Sequence, residues 1–405
     1  MDAAFPVGFR EDDARAVLAA IDPDETIAFL RDLVRAPSVN PPGDVSEAAA
    51  VCERPLREAG FAVRILEHAP GMPNVVAEIG PEDGPRLCFN AHLDVVPIGD
   101  EAAWTYPPFG AEVADGRVYG RGAGDDKASV TAQVMAGVAL ARSGVPLRGR
   151  LAVTEVADEE TSGGGALHVI AAADVRPDGV IVGEQTLNRA AIGEKGNAGV
   201  EVVVSGRTAH GALPWEGANA IEGMAHVIVA LRERVYPRLA ERTHPYFLPS
   251  SASVNMVEGG VKANVVPDRC AVFIDRRTIP GEDPAAATAE MRAVAEAAVA
   301  NLPGISVEVE QSPHALPATM SDPNGALARA MLAANAHLGL STELTGFSMA
   351  TDGRHFAAAG YPTLIYGPGD PRLAHVPDEW VGIDEVVEAT RAYALAALAL
   401  VGRGG

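Results

Sequence analysis

Along residues 61–185 the chain alternates short apolar runs of strand character with longer helical stretches, and no other feature restricts its fold as much. The runs "FAVRILE", "NVVAEI" and "RLCFNAHLDVV" are rich in β-branched and other apolar residues. The helical stretch that follows, "KASVTAQVMAGVALARSG", ends at a glycine. "GRLAVTEVAD" and "DGVIVGEQ" then read as strands on either side of the helix candidate "GGGALHVIAAA". Two further helical segments, "DETIAFLRDL" and "SEAAAVCERPLREAG", precede the series. Alternation of this kind predicts an α/β sheet with helices on both faces.

The texture changes near Gly193. "AGVEVVVSGRTAHGA" reads as a strand, "NAIEGMAHVIVALRERV" as an amphipathic helix, "SASVNMVEGG" and "CAVFIDRRTIPG" as strands, "PAAATAEMRAVAEAAVANLPG" as a helix and "SVEVEQS" as a closing strand. A βαββαβ order is that of a small ferredoxin-like α/β sandwich. The chain then returns to helix, strand and helix. At 405 residues it is too long for one typical core. The expectation is a larger α/β domain built from residues 1–192 and 313–405, with a smaller one, 193–312, inserted.

Charge removes some classes of function. There are 54 acidic against 32 basic residues, a formal charge of −22, the wrong sign for a surface that tracks phosphates, so no nucleic-acid partner is expected. Cys52, Cys88 and Cys270 lack the spacing of a disulfide framework or a cysteine metal site, which fits a reducing cytoplasm. The first residues carry acids where a secretory signal has basic ones, and the longest apolar tracts fall short of the ~20 residues that span a bilayer. A cytoplasmic protein without membrane partners is expected.

Chemistry gathers where apolar strands run into polar loops. In "CFNAHLDVVP", His92 and Asp94 are two apart and share one side of a strand, so one can bind a metal while the other holds its imidazole. Four more sites have the same layout: "GRGAGDDKAS" with Asp125, "VTEVADEETSGG" with Glu159 and Glu160, "IVGEQT" with Glu184, and "RLAHVPDEW" with His375. Each alone has a bland reading. A histidine is often satisfied by a neighbouring acid, "DEE" is often a solvated loop, and an aspartate before a helix is a routine cap. Jointly they point to one place, because ligands of open α/β sheets bind beyond the carboxyl ends of the strands. Two histidines and several carboxylates there supply the N and O ligands that suit zinc or a similar divalent ion. A carboxylate shared between two ions makes a two-metal site.

These segments, with "GRTAHGALPWEGANAI", "NVVPD", "DRRTIPGE" and "TDGRHFAAAGYPT", resemble in order and style the M20 family of metallopeptidases and deacylases, over roughly residues 24 to 400. The resemblance implies a zinc-hydrolase-type α/β sandwich as catalytic domain, with a ferredoxin-like lid and dimerisation domain inserted. It implies that His92, Asp125 and Glu184 hold one divalent ion and that Asp125, Glu160 and His375 hold the second, zinc being favoured and cobalt or manganese possible. Asp94 stands behind His92, Glu159 is the general base, and a cis peptide follows Asp125. His210 stabilises the oxyanion in the partner subunit of a homodimer, and Asn264 and Arg277 bind the substrate's carboxylate or carbonyl. Arg277 is preferred to Arg276 on the D-x-R spacing from Asp275. Asp126 stands where relatives have methionine or asparagine, and is expected to add negative charge near the site.

The function implied is hydrolysis of a C–N bond in a small carboxylate-bearing amide, foremost an N-acyl amino acid. Alternatives are a dipeptidase or carboxypeptidase with the same site, a hydrolase of an atypical amide or aromatic amine, and a non-catalytic metal-binding relative.

Overall fold

The alternating runs become five adjacent strands, from one edge inward, of an eight-stranded sheet in the order Ala62–Ala69, Met72–Ile79, Arg150–Val156, Arg86–His92, Gly179–Gly183, Thr363–Tyr366, Ala191–Glu194 and Thr345–Phe347. A chain that leaves Arg86–His92, winds into helix Lys127–Arg142 and returns as Arg150–Val156 must lie parallel to its first strand, and it does. Gly179–Gly183 pairs parallel with Arg86–His92, and Thr363–Tyr366 parallel with Gly179–Gly183. Four adjacent strands therefore end on one edge.

This computed structural model describes residues 5, 7–172, 175–313 and 315–403. By its contacts the chain forms two units: Met1–Gly193 with Ser321–Phe347 and Thr351–Gly405, and Glu194–Met320 with Ser348–Ala350. The second junction falls at Met320, beyond the expected 312, because the backbone of Asn197 exchanges bonds with Leu316, and that of Glu194 with Thr319.

In the larger unit, Lys127–Arg142 is buried along nearly its whole length between the sheet and the C-terminal helix Ile383–Val401. Both helices are rich in alanine, which lets them approach closely. A short helix, Glu11–Ala19, and a three-stranded sheet of Trp380–Gly382, Arg117–Tyr119 and Glu112–Ala114 were not expected from the sequence.

The smaller unit is an antiparallel sheet in the order Ser251–Gly259, Arg269–Thr278, Val200–Ser205 and Ser306–Gln311, the order of a ferredoxin-like sandwich. Val200, Val202 and Val204 alternate inward and pack with Met224, Val227 and Leu231 of helix Ala220–Arg234 and Met291 of helix Pro284–Val299. Asn219 and Asp283 cap these helices by accepting backbone N–H bonds. Cys52, Cys88 and Cys270 are buried free thiols. Among the described residues no helix is long and apolar enough to cross a membrane.

Candidate metal centre

The parallel strands bring the strand-end residues of the larger unit together. His92 closes Arg86–His92, Glu159 and Glu160 follow Arg150–Val156, and Glu184 follows Gly179–Gly183. Asp125 comes from the loop before helix Lys127–Arg142, and His375 from the loop before strand Trp380–Gly382. Ligand atoms of His92, Asp125 and Glu184 lie within 4.8 Å of one another, and so do those of Asp125, Glu160 and His375.

Asp125 belongs to both groups, and its two oxygens diverge. Oδ1 is 3.2 Å from His92 Nε2, and Oδ2 is 3.1 Å from His375 Nε2. His375 Nε2 is also 3.3 Å from Glu160 Oε1. The loop that presents Asp125 turns sharply at Gly122, φ +82°, where a Cβ would meet Val95 Cγ1 at 2.4 Å. The Asp125–Asp126 peptide is cis, as the resemblance implies. Asp126 occupies the helix N-cap position, but its side chain makes no capping bond. It is fully buried, burial pushes its carboxyl up, and its Oδ2 accepts the His92 backbone N–H at 3.4 Å.

The donor set asks for positive charge. Glu184 is 6% exposed, yet among the described residues no hydrogen-bond donor faces its carboxylate, and burial together with Asp125 pushes its pKa well up. Asp125 and Glu160 raise the His375 imidazole to about 10. Burial alone would raise Asp125, but His375 and His92 outweigh it and hold the carboxyl low. Acids that lack donors beside imidazoles driven toward the cationic form are what two divalent ions would satisfy, and the imidazole and carboxylate atoms are the ligands such ions take.

Asp94 stands behind His92, though not through the contact expected. His92 Nδ1 lies 3.0 Å from the Asp94 carbonyl oxygen, whereas the nearer carboxylate oxygen is 3.7 Å away, too far for a hydrogen bond. The carboxylate instead accepts the backbone N–H groups of Glu159 and Glu160, each at 3.2 Å. Asn40 Nδ2 bridges Asp94 and Asp158 at 2.9 and 3.0 Å. Asp94 thus holds the loop that carries Glu159. Burial, with Asp352 and Glu160 nearby, raises the Glu159 carboxyl well above the ordinary range, against the opposing influence of His92.

The remaining candidates lie in the smaller unit. His210 and Val265 pair across the short strands Ala209–His210 and Val265–Val266, and Asn264 accepts from Gly211 N–H at 2.8 Å. His210 Nδ1 accepts from Ala212 N–H at 3.1 Å, which leaves Nε2 as the protonated nitrogen and a donor. Arg277 is part exposed and bonded to Asp275 at 2.8 Å, while Arg276 is fully buried against Glu282. Reading the sequence missed Asn40, Asp158, Arg121 and Glu379. Arg121, Asp158 and Glu379 stand in segments already singled out, beside Asp125, Glu159 and His375, whereas Asn40 does not.

A carboxylate with divergent oxygens between two ligand groups, at the carboxyl edge of a parallel sheet and beside a glutamate of raised pKa, defines a dinuclear metal-dependent hydrolase. Comparison with known proteins agrees. Residues 88–399 match the model of peptidase family M20/M25/M40. The succinyl-diaminopimelate desuccinylase of Rhodospirillum centenum is 32% identical over 398 residues, 91% of this chain and 95% of the relative. A Staphylococcus aureus tripeptidase superposes with a TM-score of 0.76 at 21% identity, covering 94% of this chain and 99% of its own. A Bacillus subtilis dinuclear metal-binding peptidase of the M20 family gives 0.71 at 21%, covering 93% and 98%. The chain belongs to the M20 peptidase family and is a metal-dependent C–N hydrolase.

Proposed function

We propose that the chain removes the acyl group from a small N-acyl amino acid. The observation that carries this reading is the divergent Asp125 carboxylate between two ligand groups, and relatives that include a desuccinylase support the substrate class. His92, Asp125 and Glu184 hold one ion, and Asp125, Glu160 and His375 the other, with zinc favoured by the mixed imidazole and carboxylate set. The ions supply an acidified water and a polarised amide carbonyl. Glu159, steadied by Asp94, takes a proton from the attacking water and returns it to the departing amine. Asn264 and Arg277 bind the substrate's carboxylate or carbonyl, and a guanidinium is geometrically suited to a carboxylate.

The test is amine release from N-acetyl, N-succinyl and N-carbamoyl amino acids and from dipeptides, with zinc, cobalt or manganese. Hydrolysis confined to the acylated amino acids is expected. Turnover of dipeptides alone would make the chain a peptidase, and silence across the panel with two ions bound would sink the deacylase reading. Chelation should lower the unfolding temperature, because an ion held at a thousand times its Kd contributes about 4 kcal/mol. An unchanged transition after complete metal removal would contradict the two-ion site.

The working unit in this reading is a homodimer in which Nε2 of His210 donates to the oxyanion across subunits. Strand Ser251–Gly259 is a sheet edge, with Met256 and Val257 about 70% exposed. Helix Ala220–Arg234 exposes Ile221 and Val229. An unpaired edge strand of nine residues can pair with its own copy about a two-fold axis, with Met256 and Val257 covered by the contact, and a second copy is the occupant proposed. Met256→Lys with Val257→Glu is expected to convert a dimer to a monomer in light scattering. A wild-type chain that is monomeric at micromolar concentration yet active would overturn both the interface and the role across subunits.

A further inference from the structure

Arg121 and Glu379 form an ion pair of 2.5 Å that is almost completely buried, at 1% and 0% exposure. Glu379 Oε2 takes the guanidinium, while Oε1 accepts two successive backbone N–H groups, those of Gly124 and Asp125, each at 2.9 Å. The Glu379 carbonyl accepts from Gly120 N–H, also at 2.9 Å. Arg121 reaches further, to the carbonyls of Val376 and Pro97 at 3.4 Å, and its guanidinium lies 5.2 Å from the Trp104 ring centroid. One pair thus ties the loop that carries Asp125 to the loop that carries His375.

We propose that Arg121 and Glu379 are positioning residues for the two-ion centre, setting the orientation of the shared ligand Asp125 relative to His375. The inference rests on reading the two clusters as a dinuclear site. Stability alone does not call for this pair, because a buried ion pair carries a desolvation cost that well-packed apolar residues avoid. A carboxylate does something an apolar side chain cannot: it accepts both N–H groups around the Gly124–Asp125 peptide and so sets the direction in which Asp125 leaves the backbone. The two oxygens of Asp125 address one imidazole from a strand end and one from a loop, at 3.2 and 3.1 Å, so a small rotation lengthens one contact as it shortens the other. Arg121 holds the Glu379 carboxylate in place and, through Val376, holds the His375 loop against it.

The experiment compares full-length wild type, Glu379→Gln, and the double variant Arg121→Met with Glu379→Leu. Zinc affinity is read by competition calorimetry, the geometry of the centre by the visible spectrum with cobalt, and the fold by thermal unfolding of the metal-free chain. Glu379→Gln turns an amide donor toward the guanidinium and is expected to lose about 10- to 100-fold in zinc affinity, as loss of an outer partner of a ligand does. The double variant is expected to unfold at the wild-type temperature yet show the same loss and an altered cobalt spectrum. Wild-type affinity and spectrum in a folded double variant would overturn the proposal. Failure of both variants to fold, with or without metal, would also overturn it by making the pair an element of the fold. A wild-type chain that binds no pair of ions would remove the two-ion reading itself, an outcome distinct from either.

Discussion

Glu159→Gln is expected to retain both ions and to lower kcat by roughly 10²- to 10⁴-fold, the range in which a positioned general base contributes. The change is nearly isosteric and removes the ability to carry a proton. The loop should stay in place, because Asp94 holds it through the backbone N–H groups of residues 159 and 160 and not through the Glu159 side chain. Glu160→Gln at the next position is the contrast: its Oε1 faces His375 in the second ligand group, so its loss should reduce bound metal as well as turnover. Metal content by elemental analysis, set beside kcat on the best substrate of the panel, separates the two. Near-normal turnover in Glu159→Gln would assign the base elsewhere, and loss of metal in that variant would make Glu159 a ligand.

The ligand groups were legible because each ligand is announced locally, by an apolar strand running into a polar loop. Parallel pairing does the rest, since strands of one direction deliver their ends to one edge. The support around the ligands was not legible. Arg121 and Glu379 are 258 residues apart, and neither is distinguished from a surface charge until the fold brings them together. Asn40 likewise meets Asp94 and Asp158 only in three dimensions. An H-x-D spacing points Asp94 at the imidazole, but its carboxylate is used on backbone N–H groups, which leave no mark in sequence. The three-residue strands around Arg117–Tyr119 are too short to show a period, and the second junction depends on backbone pairing at residues 316 and 319 rather than on composition.

Glu282 in the smaller unit should give the largest loss of stability. Its Oε1 accepts from Arg276 and Arg242, each at 2.6 Å, and its Oε2 accepts from Ile279 N–H at 2.9 Å and from the Ser250 hydroxyl. Arg276 is fully buried and its Nε has no partner. Glu282→Ala leaves that guanidinium without a counter-charge and is expected to cost about 3–5 kcal/mol, the consequence of breaking rather than replacing a buried pair. Glu282→Leu with Arg276→Met should recover most of it. Acidity probes the same contact. Burial alone would raise the Glu282 carboxyl, but Ser250, Ile279 N–H, Arg242 and Arg276 outweigh it and hold it at about 2, below the unfolded value of 4.5. A depressed carboxyl stabilises the fold above the unfolded pKa and loses that contribution as pH falls through the folded one. The wild-type unfolding temperature should therefore drop between pH 4.5 and 2 by more than that of the double variant, which lacks the group. Parallel curves for the two proteins across that window would mean that Glu282 is not held ionised by its partners, and the cost assigned to Glu282→Ala would fall with it.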